Sequence, residues 1–485
     1  MIAESAGSLP DGPEVGGATR SPWRRGLCPG RTYNRPMTGS RYASVFDVAV
    51  VGRAAVGLAT GLALARAGLR VAMVGPDAAG AETARSAPGQ PGAAGFVAAS
   101  PHAAGDWDNR VFALSPSSRA LLESLGAWQA MDAERIAPVH DMRIWPEAAD
   151  GPSSAFAPKA IHFSAWQAGI DALAWIVENR NLTRALAQAC RFAGFATFDS
   201  PLSALDLEGD PAAARLVLGD GRTLKARLVV GADGASSRVR ELAGIAGSLT
   251  DYPQRAVVAN FDTSLPHRDC AYQWFGAHGI LALLPLPAGT GHAQPSASAA
   301  APTAVPTGRC SIVWSAPHAL ADELLALEPA DLAARVEAVS GGALGRMTPI
   351  GPAAGWPLRL GKVDSLVARR VALVGDAAHV VHPLAGQGMN LGFGDVQVLA
   401  DTLRGREAPR DPGELLLLRR YERSRAEPVL AMRLATDGLQ KLFDTGSTLS
   451  QGPFGAPLAA LRGLGWRAVA SSGLLRRLLV SQAVR

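Results

Sequence analysis

The sequence predicts an α/β fold: a discontinuous Rossmann-like domain, a second domain on a mixed β-sheet, and a C-terminal helical segment. Three observations predict it. Phe46–Val51 is a β-rich run ending in glycine, Ala54–Ala67 is a small-residue helical stretch, and Leu69–Val74 is a second apolar strand. Strand, Gly-turn, helix and strand within about 30 residues is the pattern of a parallel βαβ unit. Two further apolar strands, at Leu228–Val230 and Val371–Val374, run into turns rich in Gly and Asp. Between them Ala256–Phe261, Tyr272–Phe275, Ile280–Leu284 and Ser311–Trp314 group as a separate sheet, and helical patterns dominate from Gly388 onward.

In chain order, Met1–Ser44 is rich in Gly, Pro, Ser and Arg and lacks the apolar core of a secretory signal. It reads as a disordered extension, or as a start called too early with Met37 as the first residue. Pro76–Asp106 is loop-like. Ser115–Trp128 is amphipathic, with Ser115 or Ser117 as candidate N-cap, and Leu182–Cys190 is helical. Ala214–Val230 reads as a hairpin around Gly219-Asp220-Gly221. Ala288–Gly308, made of Ala, Pro, Ser, Thr and Gly with little else, reads as a flexible hairpin loop. The organisation expected is therefore an extension at 1–44, then a Rossmann-like domain from 45–80, 105–135, 173–250 and 355–405. A substrate domain follows from 136–172 and 251–354, with its insertion at 288–308, and a helical region from 406–485.

With 48% hydrophobic residues the 485-residue chain has a globular composition, which excludes general disorder. Its longest apolar region, Phe46–Gly75, is interrupted by Asp47, Arg53, Arg66 and Arg70, too often for a membrane span. The net charge of +5 is localised: Met1–Ser44 contributes +3 and the residues after Asp444 contribute +5, which leaves the body at −3. No basic run is present, so no nucleic-acid partner is expected. The four cysteines (Cys28, Cys190, Cys270, Cys310) are far apart with no C-x-x-C, so neither a disulfide framework nor a metal site is expected.

Three segments carry chemistry. Gly52-Arg53-Ala54-Ala55-Val56-Gly57 closes a strand and opens a helix, the position of G-x-G-x-x-G with Ala54 for the second glycine. Such a turn receives a dinucleotide pyrophosphate on backbone amides at a helix N-terminus. The acidic residue that meets the ribose at the end of the second strand is missing: Gly75 stands there, with Asp77 as a stand-in two residues on. The alternative is an ordinary strand–helix turn. Gly231-Ala232-Asp233-Gly234 follows an apolar strand; Asp233 is either a ligand to the cofactor or a turn residue. In the third segment a buried strand delivers Gly375-Asp376, and Gly386-Gln387-Gly388-Met389-Asn390 opens a helix whose N-terminal dipole stabilises negative charge. The intervening His379 and His382 have no third ligand at metal spacing.

Together these segments resemble the N-terminal FAD, D-G and G-D motifs of flavoprotein monooxygenases with the p-hydroxybenzoate hydroxylase fold. Four features narrow the resemblance to the FAD-dependent hydroxylases of ubiquinone biosynthesis (UbiH/UbiF type): His382-Pro-Leu-Ala-Gly386-Gln-Gly-Met-Asn390, Asp108-Asn109-Arg110 before Ala113-Leu114-Ser115, Trp175-Ile-Val-Glu178-Asn179-Arg180, and Thr436-Asp437-Gly438-Leu439. The likeness covers about Phe46 to Val480. It implies a Rossmann-like FAD-binding domain and hydroxylation of a prenylated aromatic ring with NAD(P)H and O2. It implies that Gly52, Ala54 and Gly57 approach the FAD pyrophosphate, with Arg110, Asp233 and Gly234 nearby. Gly375 and Asp376 then meet the ribityl chain, and Gly386, Gln387, Gly388, Met389 and Asn390 face the flavin ring. His382 and Pro383 line the substrate side, His382 as acid–base group or as a loop-structuring residue. Tyr272 and Trp274 line an aromatic pocket or belong to the core.

The apolar stripe Leu474, Leu475, Leu478, Leu479 and Val480 with Arg476 and Arg477 suits peripheral contact with a bacterial inner membrane from the cytoplasm, or packing on protein. Assembly with other quinone-biosynthesis proteins is a further expectation. The alternatives are a hydroxylase of a small aromatic compound and a degenerate scaffold subunit without catalysis.

Overall fold

The computed structural model describes residues 45–76, 107–145, 160–276, 278–287, 307–381 and 387–443. The expectations for Met1–Ser44, Asp77, most of Ala288–Gly308, His382, Pro383, Gly386 and the C-terminal apolar stripe lie outside these residues.

Val-rich runs with both faces covered make parallel strands. The first sheet places β1 (Phe46–Val51) between β2 (Val71–Val74) and strand Thr223–Gly231. Outward from these lie Ala196–Phe198 on one side and Val371–Leu373 on the other, all mutually parallel. Val48, Ala49, Val50, Val229, Val230, Val371 and Leu373 are fully buried in it. Helices Ala55–Arg66, Asn179–Ala193 and Gln387–Arg404 pack into the same core. Ala214–Leu218 pairs antiparallel with Thr223–Gly231, giving the expected hairpin. β1 is followed by β2 on one side, while the chain later returns to its other side. That reversal is a topological switch point, and the crevice for a ligand lies outside the carboxyl ends of the strands there.

The second sheet has nine strands and is mixed. Its spine is the long strand Gly247–Thr263, flanked by Gly308–Pro317 and Ala354–Val363. Gly279–Leu286, Cys270–Gly276, Asp141–Trp145 and Ile161–Ser164 continue it, with one parallel pairing between Cys270–Gly276 and Asp141–Trp145. Helices His318–Ala326 and Pro329–Val339 cover one face over Phe261, Trp274, Leu281 and Trp314. Trp145, Tyr272 and Trp274 stack nearly parallel on that side at 5.1–6.2 Å, so Trp274 belongs to the core. The opposite face packs on a three-stranded sheet of Val111–Leu114, Ala174–Glu178 and Ile136–Val139.

Two boundaries differ from the sequence reading. Ala354–Val363, placed there with the Rossmann-like domain, hydrogen-bonds along Gly247–Thr263 in the second sheet. Ile136–Val139, placed there with the substrate domain, pairs with Ala174–Glu178 in the small sheet. Only pairing, which local pattern does not encode, assigns these two strands. Among the described residues no helix is long and apolar enough to cross a membrane.

Candidate active site

At the switch point Val51 aligns with Gly231 and Gly231 with Leu373, so all three glycine-bearing turns emerge side by side. Gly52 has φ +112°, and a Cβ there would fall 2.1 Å from the carbonyl oxygen of Ala232. A Cβ on Gly57 would fall 2.0 Å from the Gly52 oxygen. The first turn, the following helix and the D-G segment therefore meet backbone to backbone. Ala54 is the N-cap of helix Ala55–Arg66 and supplies no side-chain acceptor, and no acidic residue lies in the first turn. Orphan amides and the positive end of the helix dipole are thus presented to the crevice, as an anionic phosphate requires.

In the D-G segment Asp233 is committed locally. Its Oδ1 accepts from the Ser237 hydroxyl at 2.5 Å, and its Oδ2 accepts from the amides of Arg238 and Val239 at 2.8 and 3.0 Å. This caps helix Arg238–Leu242 and leaves the backbone of Ala232 and Asp233 against Gly52. Gly234 follows with φ +85°. Arg240 then donates to the carbonyls of Ala235 (2.9 Å) and Ala377 (3.1 Å), clamping this segment to the G-D loop.

Gly375 and Asp376 form a single 3-10 turn after Val371–Leu373. The Asp376 side chain stands in a recess with Ala235, Arg240, Lys362 and His379. Solvent reaches it, yet protein crowds its other sides. That crowding holds the carboxyl above its usual range, opposed by the positive charge of Arg110 and His379 and reinforced by Asp395. Behind the loop lies a buried charge cluster. Asp395 on helix Gln387–Arg404 accepts from the Gly375 amide (2.8 Å) and from Arg425 Nε (2.7 Å), and its Oδ2 is 2.7 Å from His379 Nε2. Burial alone would raise the Asp395 carboxyl; His379, Arg425 and the Gly375 amide outweigh it and hold the group below the usual range.

The expected family segments also meet. Asn390 Oδ1 accepts from the Ser115 amide (2.9 Å) and the Ser118 hydroxyl (2.8 Å), while its Nδ2 donates to the Ala113 carbonyl (2.8 Å). Asp108 accepts from the amides of Arg110 and Arg180, and its own amide donates to Glu178. Glu178 is buried and held by Arg135, whose guanidinium lies 4.3 Å from the Trp107 ring centroid. Arg110 lies over Phe112 and acts electrostatically on Asp376, so these two are brought together. Met389 packs partly buried on the first core, and Gln387 and Gly388 begin the helix.

Residues 116–433 match the family described as an FAD binding domain. The chain is similar to the ubiquinone hydroxylase UbiL of Rhodospirillum rubrum, 34% identical over 467 residues that cover 96% of this chain and 95% of that protein. The chain belongs to the FAD-dependent hydroxylases of ubiquinone biosynthesis. A second relative, the 3-demethoxyubiquinol 3-hydroxylase of Escherichia coli, is 31% identical and covers 90% of this chain and 98% of its own. Among solved structures, PqsL of Pseudomonas aeruginosa has a TM-score of 0.59 at 21% identity, covering 83% of this chain and 97% of its own. The p-nitrophenol 4-monooxygenase PnpA of Pseudomonas putida has 0.61 at 16%, covering 91% and 98%. At these identities both speak to the fold alone.

The hydroxylase is an FAD-dependent aromatic monooxygenase, and its crevice fits that cofactor. The cradle at Gly52 and Gly57 admits no Cβ, the following amides are uncapped, and a carboxylate stands in the recess at Asp376. Sequence reasoning missed the Asp395–His379–Arg425 cluster and the Glu178–Arg135 pair. Asp395 lies five residues beyond Asn390, and a charged residue on a buried helix face is a signal for such a cluster.

Proposed function

We propose that this hydroxylase inserts one oxygen atom into the aromatic ring of a polyprenyl phenol or quinone precursor, with NAD(P)H as reductant. The observation that carries the reading is the convergence of three motif-bearing turns and Asn390 on one crevice, in a chain matched end to end by ubiquinone hydroxylases. When bound, FAD supplies the redox chemistry: acceptance of hydride from NAD(P)H and activation of O2.

The chain's own residues bind, orient and exclude water. The amides after Gly52 and around Ala54 and Gly57 take the pyrophosphate, with Arg110 adding positive charge and Asp233 and Gly234 shaping the wall. Asp376 accepts from the ribityl hydroxyls, and Arg240 and Asp395 fix its loop. The helix N-terminus at Gln387, Gly388, Met389 and Asn390, with Gly386 assigned to the same role by the resemblance, offers amides to the negative charge that develops on a reduced flavin ring. The family resemblance assigns His382 and Pro383 to the substrate side. The prenyl chain requires access to lipid, and the basic apolar C-terminal stripe supports peripheral attachment to the cytoplasmic face of a bacterial inner membrane, alongside other enzymes of quinone synthesis.

Complementation of bacterial strains blocked at each ring hydroxylation, with quinone intermediates identified by mass, tests the reading. Restoration of one prenylated product is expected. Failure in every strain, together with turnover of a small aromatic compound, favours the other substrate class. Ala54 and Gly75 motivate the scaffold alternative, which FAD binding without substrate-dependent NAD(P)H and O2 consumption would support.

A further inference from the structure

A dinucleotide held on a βαβ turn places its adenosine ribose at the carboxyl tip of the second strand, where a carboxylate receives the hydroxyls. At that tip this chain has Gly75, which has no side chain to offer and whose carbonyl accepts from Arg53 Nη1 at 3.3 Å. The neighbouring parallel strand supplies what is missing. Val74 aligns with Phe198, and the Gly75 amide donates to the Phe198 carbonyl at 3.0 Å. The next residue, Asp199, therefore stands beside Gly75, one strand spacing of about 4.8 Å away. Its carboxylate is paired with the same Arg53 guanidinium, which reaches across from the phosphate turn. Arg53 is largely buried at 15% exposure, whereas Asp199 is 70% exposed, so the arginine is the fixed member and the carboxylate faces outward. A carboxylate offers about four lone-pair sites, and pairing with Arg53 leaves acceptors for a vicinal diol.

We propose that Asp199, oriented by Arg53, receives the adenosine ribose hydroxyls of FAD in place of the side chain that Gly75 lacks. The assignment rests on the FAD reading of the crevice. It accounts for one of the two departures from the motif: the carboxylate that Gly75 lacks stands one strand outward, held by Arg53 from the variable second position of the phosphate turn. It also removes the need for Asp77.

Flavin-fluorescence titration of the apoprotein tests this with two probes, FAD and an FAD whose adenosine ribose lacks both hydroxyls. Asp199→Asn should weaken FAD about tenfold, the size expected for hydrogen bonds to a charged acceptor. The wild type should lose a similar factor on the dihydroxyl-free probe, and Asp199→Asn should no longer distinguish the two probes. Asp77→Asn should leave both affinities unchanged, and Arg53→Ala should weaken FAD with Arg53→Lys recovering part of the loss. Unchanged FAD affinity in Asp199→Asn overturns the proposal, as does an equal loss on both probes, which marks a structural effect. Tighter FAD binding by Arg53→Ala also overturns it, since Arg53 would then obstruct the ribose. A wild-type apoprotein that takes up no FAD refutes the flavin site itself, a result distinct from all of these.

Discussion

Asp395 is the residue whose removal should be felt most. It is fully buried, accepts from the Gly375 amide and Arg425 Nε and stands 2.7 Å from His379 Nε2, so Asp395→Asn leaves the buried Arg425 without its counter-charge. Loss of one member of a buried ion pair costs about 3–5 kcal/mol, which thermal melting will register. The pH dependence follows from its depressed pKa. The stabilisation is complete above the unfolded carboxyl's value of about 3.9 and is lost as pH falls through the lower folded value. The gap in melting temperature between wild type and Asp395→Asn should therefore narrow below pH about 4, and a gap independent of pH would rule out the charge as its source. Ala54 bears on affinity instead. Its methyl is exposed at the mouth of the phosphate turn, so Ala54→Gly should tighten FAD several-fold in a fluorescence titration. Its effect on stability should stay within a few tenths of a kcal/mol, as glycine also caps helices. Unchanged affinity would show that the methyl does not crowd the phosphate.

Between elements, the decisive joint is Asn390, which fastens helix Gln387–Arg404 to the turn between Val111–Leu114 and helix Pro116–Ser124. Asn390→Ala removes three hydrogen bonds and should cost about 2–3 kcal/mol while weakening FAD; a variant with wild-type melting would refute this role. The local elements were readable because their signals are local. The β-rich run at Phe46–Val51, the small-residue helix behind it and Ser115 as N-cap all follow from neighbouring residues, and the structure has them there. The joint itself was not readable, since Asn390 and Ala113 are 277 positions apart and nothing in either segment names the other. The same holds for Ala354–Val363, whose pairing with Gly247–Thr263 no local residue names, and for Arg425, which nothing near Asp395 foretells. Asp233 was readable as a cofactor ligand or a turn residue, but the three donors its carboxylate takes at the start of helix Arg238–Leu242 were not.

For the whole molecule, a cofactor seated where three turns converge should stabilise every element that shares the crevice. FAD at about one hundred times its dissociation constant should raise the unfolding free energy by about 2.7 kcal/mol. Stripping it should lower the melting temperature accordingly, and identical melting with and without FAD would contradict binding to the folded state. The strand order has a further bearing, on biosynthesis. β1 and β2 are made first, but the strand on the other side of β1 ends at Gly231, the Asp376 loop comes later still, and the arginine that neutralises Asp395 is Arg425. A ribosome adding about 5–20 residues per second makes β1 many seconds before that arginine. A nascent chain stalled short of Arg425 therefore carries an unfinished cradle, and its flavin loop lacks the counter-charge that fixes Asp395.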